Sequence, residues 1–293
     1  AIQYMNIYTN NTTIQTVREI GAKSSGDLHT GGLLGYVKGK TIKDINLYFN
    51  DCHLLVQSLS FESASKNSTT GTNSAFCGGV VGEAFNNSTL ENLLFCGYDT
   101  FDGKEIGTTS TMESIQNTPP GGGDYKGENY IGGIVGRIQY ASLDNCDYIG
   151  SDGDQDYIKM NGHESPDSAF CGGIIGLIRV NGNNIPSSVS NCDISNAYVY
   201  ASATNVGDYK NPDIYVGGIV GATYLHDTNQ SVKVSTCSVV ECNIYGLGND
   251  YIAVYAGGIA GGATWQSSFS ISDCYVIGGS VTANLVGSSA EDY

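Results

Sequence analysis

The sequence predicts an all-β protein wound as a β-solenoid, in which successive coils stack along one axis. Three observations support this prediction. A Gly-Gly phrase recurs six times in the 293 residues, a second short phrase follows each copy, and no stretch of useful length has the 3.6-residue apolar period of an amphipathic helix. Short β-branched runs bounded by Gly, Asn and Asp are typical of strands.

The Gly-Gly phrase reads Gly-Gly-aliphatic-aliphatic-Gly. Its first glycines are Gly31, Gly78, Gly132, Gly172, Gly217 and Gly257. A ring stands two residues before each of them, at His29, Phe76, Tyr130, Phe170, Tyr215 and Tyr255. Coils stacked about 4.8 Å apart bring equivalent residues together, so we predict an aromatic ladder along the axis. The glycines let neighbouring backbones approach closely.

The second phrase is a small hydroxyl residue, an aliphatic residue, any residue, Asp or Asn, and then Cys or an aliphatic residue. The copy that ends at Cys237 departs from this pattern, with Lys233 and Thr236 at the hydroxyl and amide positions. The last position holds Ile45, Leu93 and a predicted cysteine ladder of Cys146, Cys192, Cys237 and Cys274. The aliphatic and last positions are three residues apart, so a regular strand cannot direct both inward. We therefore place the Asp or Asn at a corner.

Between the phrases, the sequence predicts long variable loops at 53–75, 97–127, 147–167, 178–187 and 200–213. All five prolines fall in or beside these stretches, and none interrupts a phrase. The phrases continue on both sides of every loop, which indicates one solenoid domain over residues 1–293 with about six repeats of about 45 residues. Whether one repeat makes one turn or two is left open by the sequence.

The nine cysteines admit two interpretations. The favoured one is a buried cysteine that behaves as a small apolar residue. The alternative is disulfide formation, with Cys237–Cys242 and Cys77–Cys96 as candidate pairs. No Cys-x-x-Cys pair occurs, so neither a zinc site nor any other cofactor is expected.

An acidic segment around residues 151–164 raises the question of calcium binding. Asp152, Asp154 and Asp156 have the spacing of calcium ligands, but Tyr157 and His163 stand where an EF-hand loop needs Gly and Glu. A solvated acidic loop is the favoured interpretation. A loose calcium site remains the alternative.

The charge balance disfavours several classes of partner. The chain has 29 acidic and 13 basic residues, for a net charge of −16. Nucleic acid and anionic membrane surfaces require clustered positive charge, so neither is an expected partner. No apolar run reaches about 18 residues, so no membrane insertion is expected.

Composition also indicates where the protein works. Only 14% of the residues are charged, and Gly, Tyr, Asn, Ser and Thr are abundant, which favours a secreted protein of the cell surface or extracellular space. The start at Ala-Ile-Gln fits a processed product. The Asn-x-Ser/Thr sequons make glycosylation candidates of Asn10, Asn11, Asn67, Asn86, Asn87 and Asn229.

The two phrases together resemble the GLUG repeat. The resemblance covers six copies and most of the chain, with flanking positions that match as well. GLUG repeats recur in large surface proteins, including the bacterial IgA-peptidase group. The resemblance implies a secreted or cell-surface β-solenoid used as a scaffold, stalk or adhesin, and it carries over no catalytic site.

The enzymatic alternative has little support from the residues. A β-helix hydrolase needs two carboxylates held across a cleft, and a lyase for acidic sugars needs basic residues beside them. The basic residues are scattered singly and no Gly-x-Ser-x-Gly occurs. The chain is therefore expected not to be an enzyme, with a polysaccharide-active enzyme as the least favoured alternative.

Two non-enzymatic functions remain. Both termini look strand-like and uncapped, and uncapped ends of a heterologous stack polymerise. The leading hypothesis is a structural protein that associates with itself end to end into a surface fibril, with assembly candidates Ile2, Tyr4, Ile7, Val281 and Leu285. The runner-up is an adhesin whose Tyr-rich loops, at residues 205–213 and around Tyr125 and Tyr130, bind glycans.

Overall fold

The phrases fall on strands of four parallel sheets, named A to D here, and each coil contributes to the sheets in that order. The structure is a computed structural model. It describes residues 1–10, 12–20, 27–50, 53–60, 74–96, 99–101, 104–106, 111–117, 128–150, 157–163, 168–180, 186–204, 213–225, 231–249, 252–264 and 268–286. Within these ranges all regular structure is strand, which confirms the all-β solenoid.

The first three coils are described in chain order. Coil 1 holds β1 (Ile2–Asn10), β2 (Thr13–Ile20), β3 (Leu28–Gly31) and β4 (Leu34–Lys38). Coil 2 holds β5 (Thr41–Asn50), β6 (His53–Ser60), β7 (Ala75–Gly78) and β8 (Val81–Phe85). Coil 3 holds β9 (Thr89–Cys96), a small antiparallel pair β10 (Asp99–Phe101) and β11 (Lys104–Ile106), then β12 (Thr111–Asn117), β13 (Asn129–Gly132) and β14 (Val135–Gln139).

The next three coils repeat the pattern, and a half coil follows. Coil 4 holds β15 (Ser142–Ile149), β16 (Tyr157–His163), β17 (Ala169–Gly172) and β18 (Ile175–Val180). Coil 5 holds β19 (Ser187–Ser190), β20 (Asp193–Ser195), β21 (Tyr198–Thr204), β22 (Asp213–Gly217) and β23 (Val220–Leu225). Coil 6 holds β24 (Ser231–Ser235), β25 (Ser238–Val240), β26 (Asn243–Asn249), β27 (Ala253–Gly257) and β28 (Ala260–Thr264). The half coil holds β29 (Ser268–Ser272), β30 (Tyr275–Ile277) and β31 (Ser280–Val286).

Each repeat makes one turn, which settles the question that the sequence left open. Gly78 pairs with Gly132, and Gly132 pairs with Gly172, so one phrase lies directly above the next in parallel register. A second turn within a repeat would have placed an unrelated strand between them. The long repeat is therefore four sides of one coil.

The corner prediction is confirmed by the backbone. The Asp or Asn of the second phrase adopts the left-handed conformation, with φ between 52° and 55° at Asp44, Asn92, Asn145, Asn191 and Asp273, and Thr236 does so at 55° where the phrase departs. This single left-handed residue turns the chain, so that the aliphatic and last positions, three apart, both face inward. Leu143 and Cys146, for example, are both fully buried.

The prediction of long loops was wrong for much of the chain. Strands β6, β12, β16 and β21 of sheet B lie within or across the edges of the stretches 53–75, 97–127, 147–167 and 200–213. Sheet B escaped notice because its buried positions alternate without a fixed phrase, as in Ile158 and Met160 or Val199 and Ala201. Any small or apolar residue satisfies those positions.

The core lies inside the coil and runs through the coils of the stack without a break. One inward column of sheet A contains Ile42, Leu90, Leu143, Val189 and Val234, each 0–1% exposed. Because each coil covers the apolar side of its neighbour, burial depends on having a coil on both sides.

Candidate functional site

The aromatic ladder is formed as predicted. Ring centroids along His29, Phe76, Tyr130, Phe170, Tyr215 and Tyr255 are 4.6, 4.8, 5.4, 5.3 and 4.8 Å apart, with planes within 10° of parallel. The rings project from the outer face of sheet C and pack against outward-facing side chains of sheet D, such as Leu177 and Ala222. The ladder is thus a second apolar column outside the main core.

The glycine pair of each phrase lies at the bend between sheet C and sheet D. Equivalent bends of successive coils pack directly on one another. A Cβ atom on Gly79, Gly133, Gly173 or Gly218 would lie 2.0–2.1 Å from the carbonyl oxygen of the equivalent glycine in the next coil. No side chain fits at that distance, which is why these positions hold glycine. The Cβ of the third glycine of each phrase would point the other way, as at Gly221, where it would lie 2.5 Å from the carbonyl oxygen of Gly176 in the preceding coil.

The amino-terminal part of the ladder carries a buried ionic group. The Arg137 guanidinium lies over the rings of Phe76 and Tyr130, at 4.4 and 5.1 Å from their centroids, and its Nε donates a 3.0 Å hydrogen bond to Glu83. The second carboxylate oxygen of Glu83, Oε2, lies 3.5 Å from Nδ1 of His29. Burial lowers the pKa of His29, against the opposing effect of Glu83.

The cysteine ladder is confirmed as a column of free thiols, three of them buried and the last, Cys274, half-buried. Cys146, Cys192 and Cys237 are fully buried, and each donates to the carbonyl two residues earlier at 3.1–3.3 Å. The two disulfides considered from the sequence are not formed, because Cys77, Cys96, Cys237 and Cys242 are all free. Burial raises the pKa of the Cys242 thiol to about 11. Buried free cysteines pack as small apolar side chains.

The carboxy-terminal end face consists of the free edges of β27 to β31. Its inward positions hold apolar side chains that no other described residue covers. Val239 is fully buried, but Val276, at the same position one coil later, is 42% exposed. Leu285 is 61% exposed although Gly248, its neighbour in the column, is buried. The last ring of the ladder, Tyr255, is 44% exposed.

The amino-terminal end face consists of the free edges of β1 to β4. Tyr4 is 72% exposed and left-handed at φ 60°, in the corner column that Asp44 and Asn92 continue. The Lys43 ammonium lies 5.9 Å from the Tyr4 ring centroid, and Met5 is also exposed. Ile2 and Ile7 are half-buried against the core.

The two ends of the sequence differ in charge. The first fifty residues contain five basic and three acidic residues, whereas residues 234–293 contain five acidic residues and no basic one. Opposite net charge favours contact between unlike ends over contact between like ends.

The two ends also differ in the sheets they expose. Sheets A and B have seven levels, whereas sheets C and D have six, because the described strands begin with β1 and β2 and finish with β29 to β31. Among the described residues, no strand therefore follows β27 in sheet C or β28 in sheet D, while β31 rises one level beside them and contacts β27.

The structure brings the predicted assembly residues to the two end faces, with Ile2, Tyr4 and Ile7 at one end and Val281 and Leu285 at the other. Sequence reasoning missed Met5, Tyr255, Ile271, Val276 and Ile277, which are exposed on the same faces. The signal was present, because Ile271 and Tyr255 occupy columns that are buried in every interior coil.

Other predicted residues are placed as follows. Asn87 is exposed at a corner, whereas Ser88, which completes the Asn86 sequon, is buried and donates a 2.7 Å hydrogen bond to the Phe85 carbonyl. The backbone of Asn10 lies in β1. Tyr130 is fully buried in β13, so the expectation of an exposed glycan-binding loop at this residue was wrong. The remaining candidates fall outside the described residues, namely Asn11, Asn67, Asn229, Asp152, Asp154, Asp156, Tyr125 and residues 205–212.

No group of three or more His, Cys, Asp or Glu in the described part of the chain is arranged to hold a metal ion. No helix within those residues is long and apolar enough to cross a membrane. Comparison of the chain with models of protein families, with curated proteins and with solved structures finds no match. The resemblance to the GLUG repeat stays a prediction that depends on the phrases alone.

Proposed function

We propose that the chain is a non-enzymatic extracellular structural protein that assembles end to end into a surface fibril. The observation that carries the proposal is the state of the inward columns at the end faces. Val276 and Ile271 are 42% and 46% exposed, whereas Val239 and Val234 beneath them are fully buried. Apolar side chains built for a coil interior are covered when another coil stacks on them.

The register of the stack defines the contact in sheets A and B. Continuing each column by one step places Ile271 under Ile2 of the next copy and Val276 under Ile7. Strand β31 then lies beside β2, and these strands have seven and eight residues. The contact is heterologous, so it propagates without closing.

Charge supports the same polarity. The basic amino-terminal end meets the acidic carboxy-terminal end, while two like ends repel at low salt. Assembly of this kind weakens as ionic strength rises, although the apolar columns continue to contribute.

The second candidate function, an adhesin that binds glycans, is favoured by one observation. The outer face of sheet B carries half-buried tyrosines at Tyr198, Tyr200 and Tyr245, with the last two stacked at 5.6 Å. Lys159 lies 6.0 Å from the Tyr200 ring centroid. Exposed aromatic faces beside polar side chains suit the stacking of sugar rings.

Electron microscopy in negative stain tests the fibril directly. We expect the chain, at neutral pH and without reductant, to form unbranched fibres. Val276→Asp places a carboxylate against Ile7 of the next copy and is expected to leave single rods. Ser270→Asp is the matched control. Ser270 faces outward on β29, the strand before β30, so this variant is expected to form fibres as wild type does.

Either of two results would refute the proposal. One is wild-type protein that stays as dispersed rods at every concentration at which it is soluble. The other is Val276→Asp protein that forms the same fibres as wild type. In both cases the tyrosines of sheet B become the first surface to test, with a glycan array.

A further inference from the structure

The outer face of sheet B brings two tyrosines of adjacent coils into contact, away from both end faces. Tyr200 of β21 is in register with Tyr245 of β26. Their ring centroids are 5.6 Å apart, with an interplanar angle of 5°. Described strands of coil 4 and of the half coil flank the two tyrosines, so the exposure of these rings is that of an interior position.

The neighbours of the two rings hold them against each other. Lys159 precedes Tyr200 in the column and Thr282 follows Tyr245, so each tyrosine has one tyrosine neighbour along the axis. The Lys159 ammonium lies 6.0 Å from the Tyr200 ring centroid, on the coil 4 side of that ring. Both tyrosines are half-buried and project outward, so a solute reaches their rings from outside the coil.

The hydroxyl group of Tyr245 keeps its hydrogen atom available for transfer. Nδ2 of Asn284 donates a 3.1 Å hydrogen bond to Oη of Tyr245. The phenol oxygen is the acceptor in this contact, so its own hydrogen is not used there. An oxidant that approaches from the solvent can therefore take that hydrogen without breaking this bond.

The thiols that could reduce an oxidised tyrosine lie on the other side of the sheet. A thiol acts as a reductant only where it is accessible to its partner. Cys171 is fully buried in the core, and its Sγ donates a 3.5 Å hydrogen bond to the carbonyl oxygen of Tyr200, whose ring projects outward. All the described cysteines except Cys274 are buried. The backbone of sheet B thus separates these thiols from the two rings.

We propose that Tyr200 and Tyr245 are a site of oxidative coupling, which joins coils 5 and 6 through a carbon–carbon bond. The oxidant is hydrogen peroxide acting through a haem peroxidase. Each phenol gives up one electron and one proton, and the two phenoxyl radicals couple at ring carbons next to the hydroxyl groups. The hydrogen on each coupled carbon then moves to the oxygen of its ring, which restores both phenols. One hydrogen peroxide thereby takes up two hydrogen atoms and becomes two molecules of water.

Geometry and access favour Tyr200 and Tyr245 over other tyrosine contacts. Coupling requires two ring carbons to approach each other, which nearly parallel neighbouring rings allow. Tyr157 and Tyr198 are 5.2 Å apart but at 66°, so the edge of one ring meets the face of the other. In the aromatic ladder, Tyr215 is only 8% exposed and its hydroxyl donates a 3.2 Å hydrogen bond to Asp213.

Oxidation of the full chain with a haem peroxidase and hydrogen peroxide tests the proposal. We expect a single-chain product that is lighter by two hydrogen atoms for each link, with dityrosine fluorescence and a Tyr200–Tyr245 link in peptide mapping by mass spectrometry. This link is expected to exceed a Tyr157–Tyr198 link at least about fivefold. Tyr8 and Tyr48, nearly parallel at 4.7 Å, are expected to couple as well and show that the oxidant reached the chain.

Two conservative variants form the matched pair. Tyr200→Phe keeps the ring but has no phenol hydrogen to lose, so it is expected to abolish the link while the Tyr8–Tyr48 link remains. Tyr198→Phe, on the same strand, is expected to leave the Tyr200–Tyr245 link unchanged. Oxidised wild type is expected to unfold in urea at least about tenfold more slowly than oxidised Tyr200→Phe, because coils 5 and 6 cannot separate.

Several results would overturn the proposal. These are wild-type chain without a Tyr200–Tyr245 link, a Tyr157–Tyr198 link in equal yield, or a link that joins only different copies of the chain. The site does not rest on the fibril, and the Val276→Asp chain, which is expected to stay as single rods, serves as a second substrate. Coupling in that chain without wild-type fibres would refute the fibril alone, whereas fibres without coupling would refute the site alone.

Discussion

Gly218 and Gly258 occupy the same position in adjacent coils, yet only one of them is required by its own chain. The backbone of coil 6 crosses directly over Gly218, whereas the described atoms nearest to a Cβ on Gly258 belong to the side chain of Val276. The same contrast holds for Val239 and Val276. In a solenoid, the energetic role of a residue is therefore set by whether a coil lies above it, and the last coil carries interior residues without interior neighbours.

The largest expected effect tests this contrast at the glycines. Gly218→Ala forces a methyl group against the Gly258 carbonyl and is expected to lower the free energy of unfolding by about 4 kcal/mol. Gly258→Ala meets only an exposed side chain that can move, so it is expected to cost less than about 1 kcal/mol. Urea denaturation followed by circular dichroism measures both. Equal losses would contradict the view that the carboxy-terminal face of the single chain is open.

A second comparison concerns the outward-facing column of sheet D, in which two charged residues are followed by two apolar residues. The column reads Glu83, Arg137, Leu177, Ala222 along the axis. Arg137→Leu leaves the buried Glu83 carboxylate without its partner and is expected to cost about 3 kcal/mol in the same denaturation experiment. The double variant Glu83→Ala/Arg137→Leu copies the apolar pair of the later coils and is expected to recover most of the loss. If the double variant is as unstable as the single one, the column needs its ion pair for another reason.

The comparison of interior and end also explains what the sequence could predict. The Gly-Gly phrase, the ring before it and the corner residue are required in every coil, so six copies revealed the coil, its ladders and its corners. Thr236 shows that the corner is a backbone requirement, since it adopts the same conformation, at φ 55°, without being Asp or Asn.

The features that escaped prediction have no repeated phrase. Sheet B needs only alternate small or apolar residues, which loops also contain. The ion pair of Glu83 and Arg137 occurs once, and its partners are 54 residues apart in the chain.

The alkylation rates of an interior and an end cysteine give a smaller expected difference. Cys237 is fully buried, and a hydrogen bond with Cys192 together with burial raises its thiol pKa. Cys274, next in the ladder, is half-buried at the end face. We expect iodoacetamide at pH 8 to alkylate Cys274 at least about tenfold faster than Cys237, as measured by mass spectrometry of the native protein. Equal rates in urea are the control, and equal native rates would contradict an exposed end face. Fibril formation is expected to slow alkylation of Cys274, since the next copy covers it.

The smallest expected effect is on the pH dependence of stability, and it distinguishes the first ring of the ladder from an interior ring. Burial lowers the pKa of His29, while Glu83 and Asp27 oppose and Arg137 adds to this shift, and the rings of Tyr36 and Phe76 pack beside it. The folded state thus binds fewer protons than the unfolded state as pH falls through about 6.5, so stability is lost on acidification. His29→Phe, which keeps a ring in the ladder, is expected to lose less stability than wild type between pH 7 and pH 5, with a difference of less than about 1 kcal/mol. Phe76→His adds a second titrating ring at a fully buried position and is expected to increase the loss of stability on acidification. A His29→Phe profile parallel to that of wild type, measured by urea denaturation at each pH, would show that the end ring titrates as it does in the unfolded chain.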